Sequence, residues 1–469
     1  MLIYFYFLEL NIMYDIIIIG AGTAGITAYK EAIKHTQNIL IINEGPWDTT
    51  CARVGCMPSK VLISTANRMH EAQTASKVGL HIDATIDTSN VMQHVRSLRD
   101  RFTQATLKDV NSWDESHKIT GKAHFINHNT IQVNDRHYQS KSFILAVGSQ
   151  PTINGDWKKD IGEHLLTSDQ VFEIPILPKS LAVIGSGVIA IELAQAMHRL
   201  GVETTVFARS RKVGSLSSPN LQALAVDVLS QELKIKFEVL PEQVSLENDK
   251  VKVTFKENNE LKEIEVDYIL NATGRKSLLS TLQLENIAPA FKDADHLLFD
   301  AETNQLADYP IFVAGDAYTD SPIQHEAAHA GRKAVKNCLN YANSNSVTTL
   351  VPLGIMFCSP EMAGLGQTYK TLTEHGIDFV VGEVSYAKQG RAIVNGKNVG
   401  AAEVYVDRTT RKLLGAELFV DHAEHLAHLL AWQVAHDLTV DQILEQPFYH
   451  PTLEEGIRTA LKHAQRQLD

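Results

Sequence analysis

The sequence predicts an α/β protein with two similar parallel-sheet units, followed from about residue 350 by an α+β segment. In residues 14–44, the apolar run YDIIIIG (14–20) leads into a glycine turn, a helical stretch and the second strand NILIINE (38–44). The same order of strand, glycine turn, helix and strand returns in residues 180–209. A run that is apolar throughout is typical of a strand buried on both faces of a parallel sheet.

The later elements follow in order along the chain. The segment YPIFVAGDA (309–317) predicts a third strand of this kind, which ends at Gly315 and Asp316. From about residue 350 the pattern changes to the strand-like segments VYVD and GAELFV, with helices predicted at 421–436 and 452–466. These changes of pattern place domain boundaries near residues 150, 275 and 349.

Composition excludes several classes of partner. The formal net charge of −12 argues against binding to nucleic acid or to an acidic membrane, since both need a basic face. Four cysteines in 469 residues are too few for a secreted disulfide scaffold, so a disulfide here is expected to be catalytic. The opening MLIYFYFLEL lacks a basic start and is too short to span a bilayer. We therefore expect a cytoplasmic protein, and residues 1–12 are interpreted as an extension upstream of Met13.

The first glycine turn fits a dinucleotide site. Gly20, Gly22 and Gly25 form G-x-G-x-x-G between a strand and a helix, and Glu44 follows at the end of the next strand. The glycines give a tight turn, close approach of a pyrophosphate and close helix packing, while the acid accepts hydrogen bonds from a ribose. Because strand, helix and acid are all present, a dinucleotide-binding Rossmann-like domain is preferred to a mere glycine turn.

The second glycine turn carries a different specificity signal. Gly185 and Gly187 are followed by Ala190, the permitted G-x-G-x-x-A variant. Ala208 occupies the position of the acid, and Arg209, Arg211 and Lys212 come next. Cations suit a 2′-phosphate, so NADP(H) is favoured over NAD(H), with a solvated basic loop as the alternative. Two dinucleotide sites suggest a flavin adenine dinucleotide that exchanges hydride with a nicotinamide dinucleotide.

The close cysteine pair admits several interpretations. Cys51 and Cys56 have a C-x-x-x-x-C spacing, with Arg53 between them and Lys60 in the predicted helix that follows. A structural staple across so short a loop recovers little chain entropy. Half a zinc site lacks a second close pair, and an inert buried pair remains open. Beside two dinucleotide sites, a redox couple is favoured, and Arg53 is predicted to lower the pKa of its neighbouring thiol.

Six segments together resemble one enzyme family. They are CARVGCMPSK, ILAVGSQP (144–151), NATGRKS (271–277), VAGDA (313–317), FCSPEMAGLG and HPTLEE (450–455). In this order they resemble the class I pyridine nucleotide–disulfide oxidoreductases, which include dihydrolipoamide dehydrogenase, glutathione reductase and mercuric reductase. The resemblance covers nearly the whole chain from Met13.

The resemblance implies a domain plan and a partner. An FAD-binding domain would comprise residues 1–150 and 276–348, with an NAD(P)-binding domain inserted at 151–275 and a dimerisation domain at 349–469. Gly148 and Gly274 lie in its two A-T-G-like segments, and Asp316 would hold the ribityl chain of the flavin. Such enzymes are homodimers with shared active sites.

It also implies roles for the catalytic residues. Cys51 would exchange with a disulfide substrate, and Cys56 would lie against the flavin as a charge-transfer thiolate. Lys60 would pair with Glu192 beside the flavin ring. His450, contributed by the partner subunit, would be the general acid–base for the thiol, oriented by Glu455.

The departures from the family pattern bear on the substrate. Arg53 replaces an asparagine, and Phe448 stands where dihydrolipoamide dehydrogenases have a first histidine. The basic loop resembles NADPH-using members, whereas the metal-binding domain and terminal cysteine pair of mercuric reductase are absent. The expected function is an FAD-dependent disulfide oxidoreductase of the dihydrolipoyl dehydrogenase type. The alternatives are an NADPH-dependent reductase of another small disulfide, glutathione- or mercuric-reductase-like, and a redox-sensing flavoprotein without turnover.

Overall fold

The computed structural model describes residues 13–300, 302–319, 322–341 and 349–469, so the interpretation of residues 1–12 lies outside it. The described residues fall into two compact units. The first comprises those of Met1–Arg53, Arg99–Gln150 and Arg275–Thr349. The second comprises Val54–Leu98, Pro151–Gly274 and Leu350–Asp469.

The strands, in chain order, are β1 Met13–Ile19, β2 Ile39–Asn43, β3 Lys118–Thr120, β4 Ala123–Asn127, β5 Thr130–Val133, β6 Arg136–Leu145, β7 Ser149–Pro151, β8 Leu165–Leu166, β9 Ser180–Ile184, β10 Glu203–Ala208, β11 Lys234–Phe237, β12 Pro241–Glu247, β13 Lys250–Glu257, β14 Glu260–Val266, β15 Tyr268–Asn271, β16 Arg275–Ser277, β17 Ile311–Val313, β18 Leu353–Met356, β19 Glu361–Gly366, β20 Phe379–Ser385, β21 Ala401–Asp407 and β22 Leu413–Val420.

The helices are α1 Thr23–Ala32, α2 Thr50–Arg53, α3 Cys56–Thr74, α4 Thr88–Val110, α5 Gly155–Ile161, α6 Val188–Arg199, α7 Pro219–Glu232, α8 Gln324–Leu339, α9 Tyr369–Glu374, α10 Gly390–Asn395, α11 Ala423–Ala435, α12 Val440–Leu444 and α13 Glu454–Gln465.

The first unit is built on a mostly parallel sheet around β1. The parallel strands have the order β3-β2-β1-β6-β17, and the β4–β5 hairpin extends the sheet beyond β6 through antiparallel pairing. Alternate isoleucines of β1 enter opposite cores: Ile16 and Ile18 pack with residues of α1 and α8, whereas Ile17 and Ile19 pack on the other face. The predicted strand buried on both faces, and the β-α-β unit that it begins, are confirmed.

The second unit contains a fully parallel sheet and an antiparallel layer against it. The parallel order is β11-β10-β9-β15-β8, with α6 connecting β9 to β10 as the second glycine pattern predicts. One face of this sheet shares a core with the antiparallel strands β12, β13 and β14 through Val251, Val253 and Phe255. Both predicted Rossmann-like patterns are therefore present.

The C-terminal part of the second unit has the expected α+β composition. Its antiparallel sheet has the order β18-β19-β22-β21-β20. Apolar residues of α11 and α13, including Leu426, Leu430 and Leu461, share a core with this sheet. These two helices correspond to the predictions at 421–436 and 452–466.

The assignment of chain segments to FAD-binding, NAD(P)-binding and dimerisation domains stays a prediction. The two units group residues 54–98, which carry α3, with the second unit. Among the described residues, no helix combines the length and apolar character needed to cross a bilayer.

Candidate active site

The turn between β1 and α1 has the geometry that a dinucleotide site requires. Gly20 has a φ of +105°, and a Cβ there would lie 2.2 Å from the carbonyl oxygen of Ala146. A Cβ on Gly25 would lie 1.8 Å from the carbonyl oxygen of Gly20, so α1 approaches the turn this closely only because residue 25 is glycine. Gly22 is the N-cap of α1, has no side-chain cap and faces open space. The start of α1 is therefore open to an anionic pyrophosphate, and these residues fit such a group.

The end of β2 carries one residue that sequence reasoning missed. Glu44 directly follows this strand and is exposed there. Beside it, Asn43 Oδ1 accepts a 3.1 Å hydrogen bond from the Ala21 N–H within the glycine turn. Its Nδ2 donates to the carbonyl oxygens of Gly45 and Pro46, each at 2.8 Å. Asn43 thus joins the turn to the segment after Glu44, and a polar residue that ends an apolar strand was the available sequence signal.

Three other predicted segments meet within the first unit. Arg275 Nε donates to Ser149 Oγ at 2.9 Å, and its Nη2 donates to the Ser149 carbonyl oxygen at 2.8 Å. Gly148, with a φ of +70°, directly precedes that serine. Asp316 lies in the short turn after β17; burial raises the pKa of its carboxyl, while Arg275 and a Ser149 hydrogen bond act in the opposite direction. A partly buried acid at the carboxyl end of a parallel strand fits a hydroxyl-rich ligand.

The second glycine turn repeats the geometry of the first. Gly185 has a φ of +115°, and a Cβ there would lie 2.6 Å from the carbonyl oxygen of Ala272. Gly187 is the N-cap of α6, has no side-chain cap and faces open space. Ala190 is buried within α6, and Gly274, with a φ of +134°, accepts a 2.9 Å hydrogen bond from Thr152 N. The turn therefore fits a second dinucleotide.

The basic loop follows β10. Ala208 ends the strand as a buried residue, and Arg209, Arg211 and Lys212 are exposed. The guanidinium carbon of Arg211 lies 5.2 Å from the ring centroid of Phe237, the last residue of the adjacent strand β11. Stacking on this ring, which sequence reasoning missed, orients a cation at the carboxyl end of the parallel sheet.

The two motif cysteines lie at or near the start of helices. Cys51 is half-buried in α2, and Cys56 is the exposed first residue of the nineteen-residue α3. A helix N-terminus favours a thiolate over a thiol. Cys338 and Cys358 are buried, and burial raises the pKa of both thiols. The redox disulfide between Cys51 and Cys56 stays a prediction.

Arg53 has a partner that the sequence did not reveal. Its Nε donates to Asp48 Oδ1 at 2.8 Å, and the Asp48 side chain is only 7% exposed. A carboxylate so close cancels much of the cation's field. This ion pair works against the predicted effect of Arg53 on a neighbouring thiol, which stays a prediction.

Lys60 on α3 forms an ion pair with Glu192 on α6, as the resemblance implies. Lys60 Nζ lies 2.8 Å from Glu192 Oε2 and 4.7 Å from the ring centroid of Phe357. Glu192 is 4% exposed, and its Oε1 accepts a 2.7 Å hydrogen bond from Phe357 N. Phe357 was missed because it is 165 residues away from Glu192 in the sequence.

Two further polar residues follow Glu192 along the buried face of α6. Gln195 Oε1 accepts from Ser359 N at 2.7 Å, and its Nε2 donates to the Ser359 carbonyl oxygen at 2.8 Å. Arg199 binds the Glu232 carboxylate through Nε and Nη2, and Asn67 of α3 through Nη1 at 2.6 Å. Gln195 and Arg199 lie at helical spacing from Glu192 within an apolar helix, a usable signal that sequence reasoning missed.

His450 and Glu455 form a dyad at the surface. His450 Nδ1 lies 3.1 Å from both oxygens of the Glu455 carboxylate, and the His450 side chain is 81% exposed. The hydrogen bond from His450 lowers the pKa of Glu455, and the Thr452 N–H acts in the same direction. Since a carboxylate only accepts, Nδ1 carries a proton and Nε2 of the neutral ring can accept one.

Comparison with protein families identifies a matching model over most of the chain. The model described as "Pyridine nucleotide-disulphide oxidoreductase" matches residues 14–332. Its "dimerisation domain" model matches residues 353–461.

Individual relatives divide between two activities. A mercuric reductase of Bacillus cereus is 29% identical over 457 residues, covering 97% of this chain and 72% of that protein. A dihydrolipoyl dehydrogenase of Geobacillus stearothermophilus is 26% identical over 448 residues, covering 94% of each. The crystal structure of LpdA from Mycobacterium tuberculosis has the same fold, with a TM-score of 0.82 at 22% identity over 95% of this chain and 98% of that one.

Proposed function

This chain belongs to the family of FAD-dependent pyridine nucleotide-disulphide oxidoreductases, and on that premise we propose that it transfers two electrons between NADP(H) and a small dithiol or disulfide of the lipoyl type. In the reductive direction, NADPH, a proton and a disulfide give NADP⁺ and a dithiol. The observation that carries the proposal is α3, which begins at Cys56 and holds Lys60 in an ion pair with the buried Glu192. FAD, when bound, supplies the two-electron carrier between nicotinamide and disulfide.

Two sets of residues are proposed to hold the cofactors. The set for FAD is Gly20, Gly22, Gly25, Glu44, Gly148 and Asp316. The set for the nicotinamide dinucleotide is Gly185, Gly187, Arg209, Arg211 and Gly274. The open N-termini of α1 and α6 support both assignments.

The protein's own groups carry the thiol chemistry in this proposal. A Cys51 thiolate attacks the substrate disulfide, forms a mixed disulfide and releases one substrate thiolate; Cys56 then displaces the second thiolate, leaving the Cys51–Cys56 disulfide to be reduced again. His450 Nε2 takes the thiol proton of Cys51 as the attacking thiolate forms and gives it to the leaving substrate thiolate; the reverse reaction returns it. Glu455 keeps the ring in the tautomer that this transfer needs, because it accepts from Nδ1.

The basic loop supports NADP(H) as the nucleotide. Exposed Arg209 and Arg211 follow the buried Ala208, so the loop offers cations where an NAD site would offer an acid. Together with Phe448 in the place of a histidine, this favours a second candidate, an NADPH-dependent reductase of another small disulfide. The relatives named mercuric reductase and dihydrolipoyl dehydrogenase leave both candidates within the family.

A homodimer is proposed as the working form. The dimerisation-domain match at residues 353–461 includes His450 and Glu455, and the exposure of His450 suits a residue that acts on a partner subunit. The low cysteine count supports a cytoplasmic location.

The test compares NADPH and NADH as donors to lipoamide, glutathione disulfide and other small disulfides. We expect turnover with lipoamide, a lower KM for NADPH than for NADH, and loss of disulfide reduction in Cys51→Ser with retained electron transfer to ferricyanide. Ser64→Ala, an exposed position of α3, is the control and should match wild type. Full disulfide turnover in Cys51→Ser, or no turnover with any disulfide, would overturn the proposal.

A further inference from the structure

We propose that Glu417 is a positioning residue for the pyridine nucleotide. It acts through the strap, defined as residues 213–218, which joins the basic loop to α7. The inference rests on the proposed function, because it takes the glycine turn at 185–190 as the site of the nicotinamide dinucleotide. Glu417 itself lies on β22 of the C-terminal sheet.

One end of the strap is hydrogen-bonded to the glycine turn. Gly214 N donates to the carbonyl oxygen of Ser186 at 2.8 Å, and Ser186 lies between Gly185 and Gly187. The strap begins immediately after Lys212, the last residue of the basic loop. A shift of the strap therefore moves a backbone group that contacts the phosphate-binding turn, and also the chain that carries Arg209 and Arg211.

The other end of the strap is fixed to Glu417. Ser217 Oγ donates to Glu417 Oε2 at 2.8 Å, and Ser218 N donates to the same oxygen at 3.1 Å. Ser217 N donates to Oε1. Ser218 is also the N-cap of the fourteen-residue α7, so the carboxylate lies at the positive end of that helix dipole.

The Glu417 carboxylate is 1% exposed and bound entirely by neutral groups among its recorded donors. Besides the strap, Tyr405 Oη donates at 2.8 Å and Tyr369 N, at the start of α9, donates at 3.2 Å. A buried carboxylate is tolerated only when its lone pairs are filled in this way. The position of the strap and the burial of the Glu417 side chain therefore depend on each other.

Packing leaves the strap little freedom between its two ends. Gly214 has a φ of +64°, and a Cβ there would lie 2.4 Å from Met362 Sδ. Gln222 of α7 accepts from Val213 N at 3.1 Å and donates to the carbonyl oxygens of Val213 and Leu216 at 2.7 and 2.9 Å. Displacement at Ser217 is thus transmitted to Gly214.

Glu403 provides a matched control. It is directly opposite Glu417 in the β21–β22 pairing and is 2% exposed, with Tyr405 Oη at 3.1 Å from its Oε2. Burial raises the pKa of the Glu403 carboxyl, although hydrogen bonds from Ser218 and Tyr405 act in the opposite direction. The recorded hydrogen bond from Tyr405 reaches Oε2 of Glu403, and glutamine can keep that oxygen as the acceptor. Both oxygens of Glu417 accept from the strap, so Glu403→Gln is expected to be tolerated where Glu417→Gln is not.

The experiment measures the Kd of NADP⁺ by calorimetry and the KM and kcat for NADPH on the FAD-loaded holoenzyme. In Glu417→Gln, an amide NH2 meets N–H donors, and we expect Kd and KM to rise about tenfold, the equivalent of one lost charge-assisted hydrogen bond. We expect kcat at saturating NADPH to stay within about twofold, since the redox residues are untouched. Glu403→Gln should keep both Kd and KM within about twofold of wild type.

Ser217→Ala covers the case in which Glu417→Gln fails to fold. It removes the Oγ that donates to Glu417 and accepts from Lys370 N at 3.1 Å, and it should raise Kd about threefold. This inference, but not the proposed function, would be overturned if a folded Glu417→Gln or Ser217→Ala kept the wild-type Kd for NADP⁺. It would also be overturned if Glu403→Gln lost as much affinity as Glu417→Gln. If wild type bound neither NADP⁺ nor NAD⁺, the proposed function would fall, and this inference with it.

Discussion

At the residue scale, the buried ionisable side chains of this protein differ in which partners offset the free-energy cost of removing them from water. Glu192 relies on a cation, Lys60, together with the Phe357 N–H. Glu417 relies on neutral donors alone among its recorded partners. Arg199 and Glu232 pair through two hydrogen bonds, and Arg199 holds the pKa of Glu232 down against the opposing effect of burial. Substitution of the partners of these glutamates is therefore expected to change protein stability by different amounts.

The Lys60–Glu192 pair gives a first prediction. Lys60→Met leaves Glu192, 4% exposed, without its cation, and we expect the free energy of unfolding to fall by about 3 kcal/mol. The control is Lys30→Met, which breaks the exposed pair with Asp109, whose side chains are 50% and 39% exposed, and should cost less than about 1 kcal/mol. Urea unfolding measures both values. Equal losses would show that burial of Glu192 does not set the cost.

Glu361 gives a prediction about pH. Burial raises the pKa of its carboxyl from 4.5 to about 7, while the Glu424 N–H acts in the opposite direction and the nearby Glu424 and Asp421 carboxylates reinforce the rise. Because the folded state binds this proton more tightly, the stabilisation is present below the ordinary pKa and is lost as pH rises through about 7.

In Glu361→Gln that pH dependence should be absent. The difference in unfolding free energy between wild type and the variant should change by up to about 3 kcal/mol between pH 5 and pH 8, with wild type losing stability at the higher pH. Chemical denaturation at both pH values measures it. Parallel stability profiles of the two proteins would contradict the assignment.

At the element scale, the start of α1 contains one glycine that packing requires and another that ligand binding is expected to require. Gly25 is required by the fold, because a Cβ would lie 1.8 Å from the Gly20 carbonyl oxygen. A Cβ on Gly22 would have no atom within 4 Å, so the lack of a side chain there is expected to matter for ligand binding and not for the fold. This division agrees with the separate roles that the G-x-G-x-x-G pattern gives to the two glycines.

Gly25→Ala and Gly22→Ala therefore form a matched pair. We expect Gly25→Ala to destabilise the FAD-free protein by about 3 kcal/mol through backbone displacement. Gly22→Ala should cost less than about 1 kcal/mol in the FAD-free protein, since its φ of −76° suits any residue, yet weaken FAD binding by about tenfold or more. Thermal unfolding and FAD titration separate the effects. Equal destabilisation by both would refute the distinction.

Three polar residues on one buried face of α6 each bind a partner from another part of the chain. Its residues at 192, 195 and 199 bind Lys60, Ser359 and Glu232 in turn. The helix periodicity predicted the element, but its polar stripe becomes interpretable only when the partners are known. A buried amide or guanidinium is stabilised when its donors find acceptors, and residues distant in the chain supply those acceptors here.

At the scale of the whole molecule, the exposed His450–Glu455 dyad bears on how subunits cooperate. In the proposed homodimer, each catalytic site takes its cysteines from one subunit and His450 from the other. Mixing Cys51→Ser with His450→Ala subunits then creates heterodimers with one intact site and one site that lacks both groups.

This arrangement predicts complementation. After co-refolding or co-expression in equal amounts, half of the dimers are heterodimers with half of their sites intact, so about one quarter of wild-type activity should return. Each variant alone should show nearly none. Activity that stays at the level of the separate variants would indicate that His450 serves its own chain.

The local elements of this protein were determined by the sequence. The strand patterns at β1, β2, β9 and β10, the two glycine turns and the helices α11 and α13 were all predictable, because each depends on neighbouring residues. The contacts of Lys60 with Glu192 and of His450 with Glu455 are those that the family resemblance implies, while the catalytic roles of these residues stay predictions.

Tertiary structure decided which partners the buried charges have. Phe357 is 165 residues from Glu192, and Ser217 is 200 residues from Glu417, so no local pattern connects them. Asp48 is close to Arg53 in sequence, yet only the folded structure shows that the two residues form an ion pair and that Asp48 is buried. The cost of burying a charge depends on all surrounding donors at once, and the chain assembles those donors only when distant segments fold together.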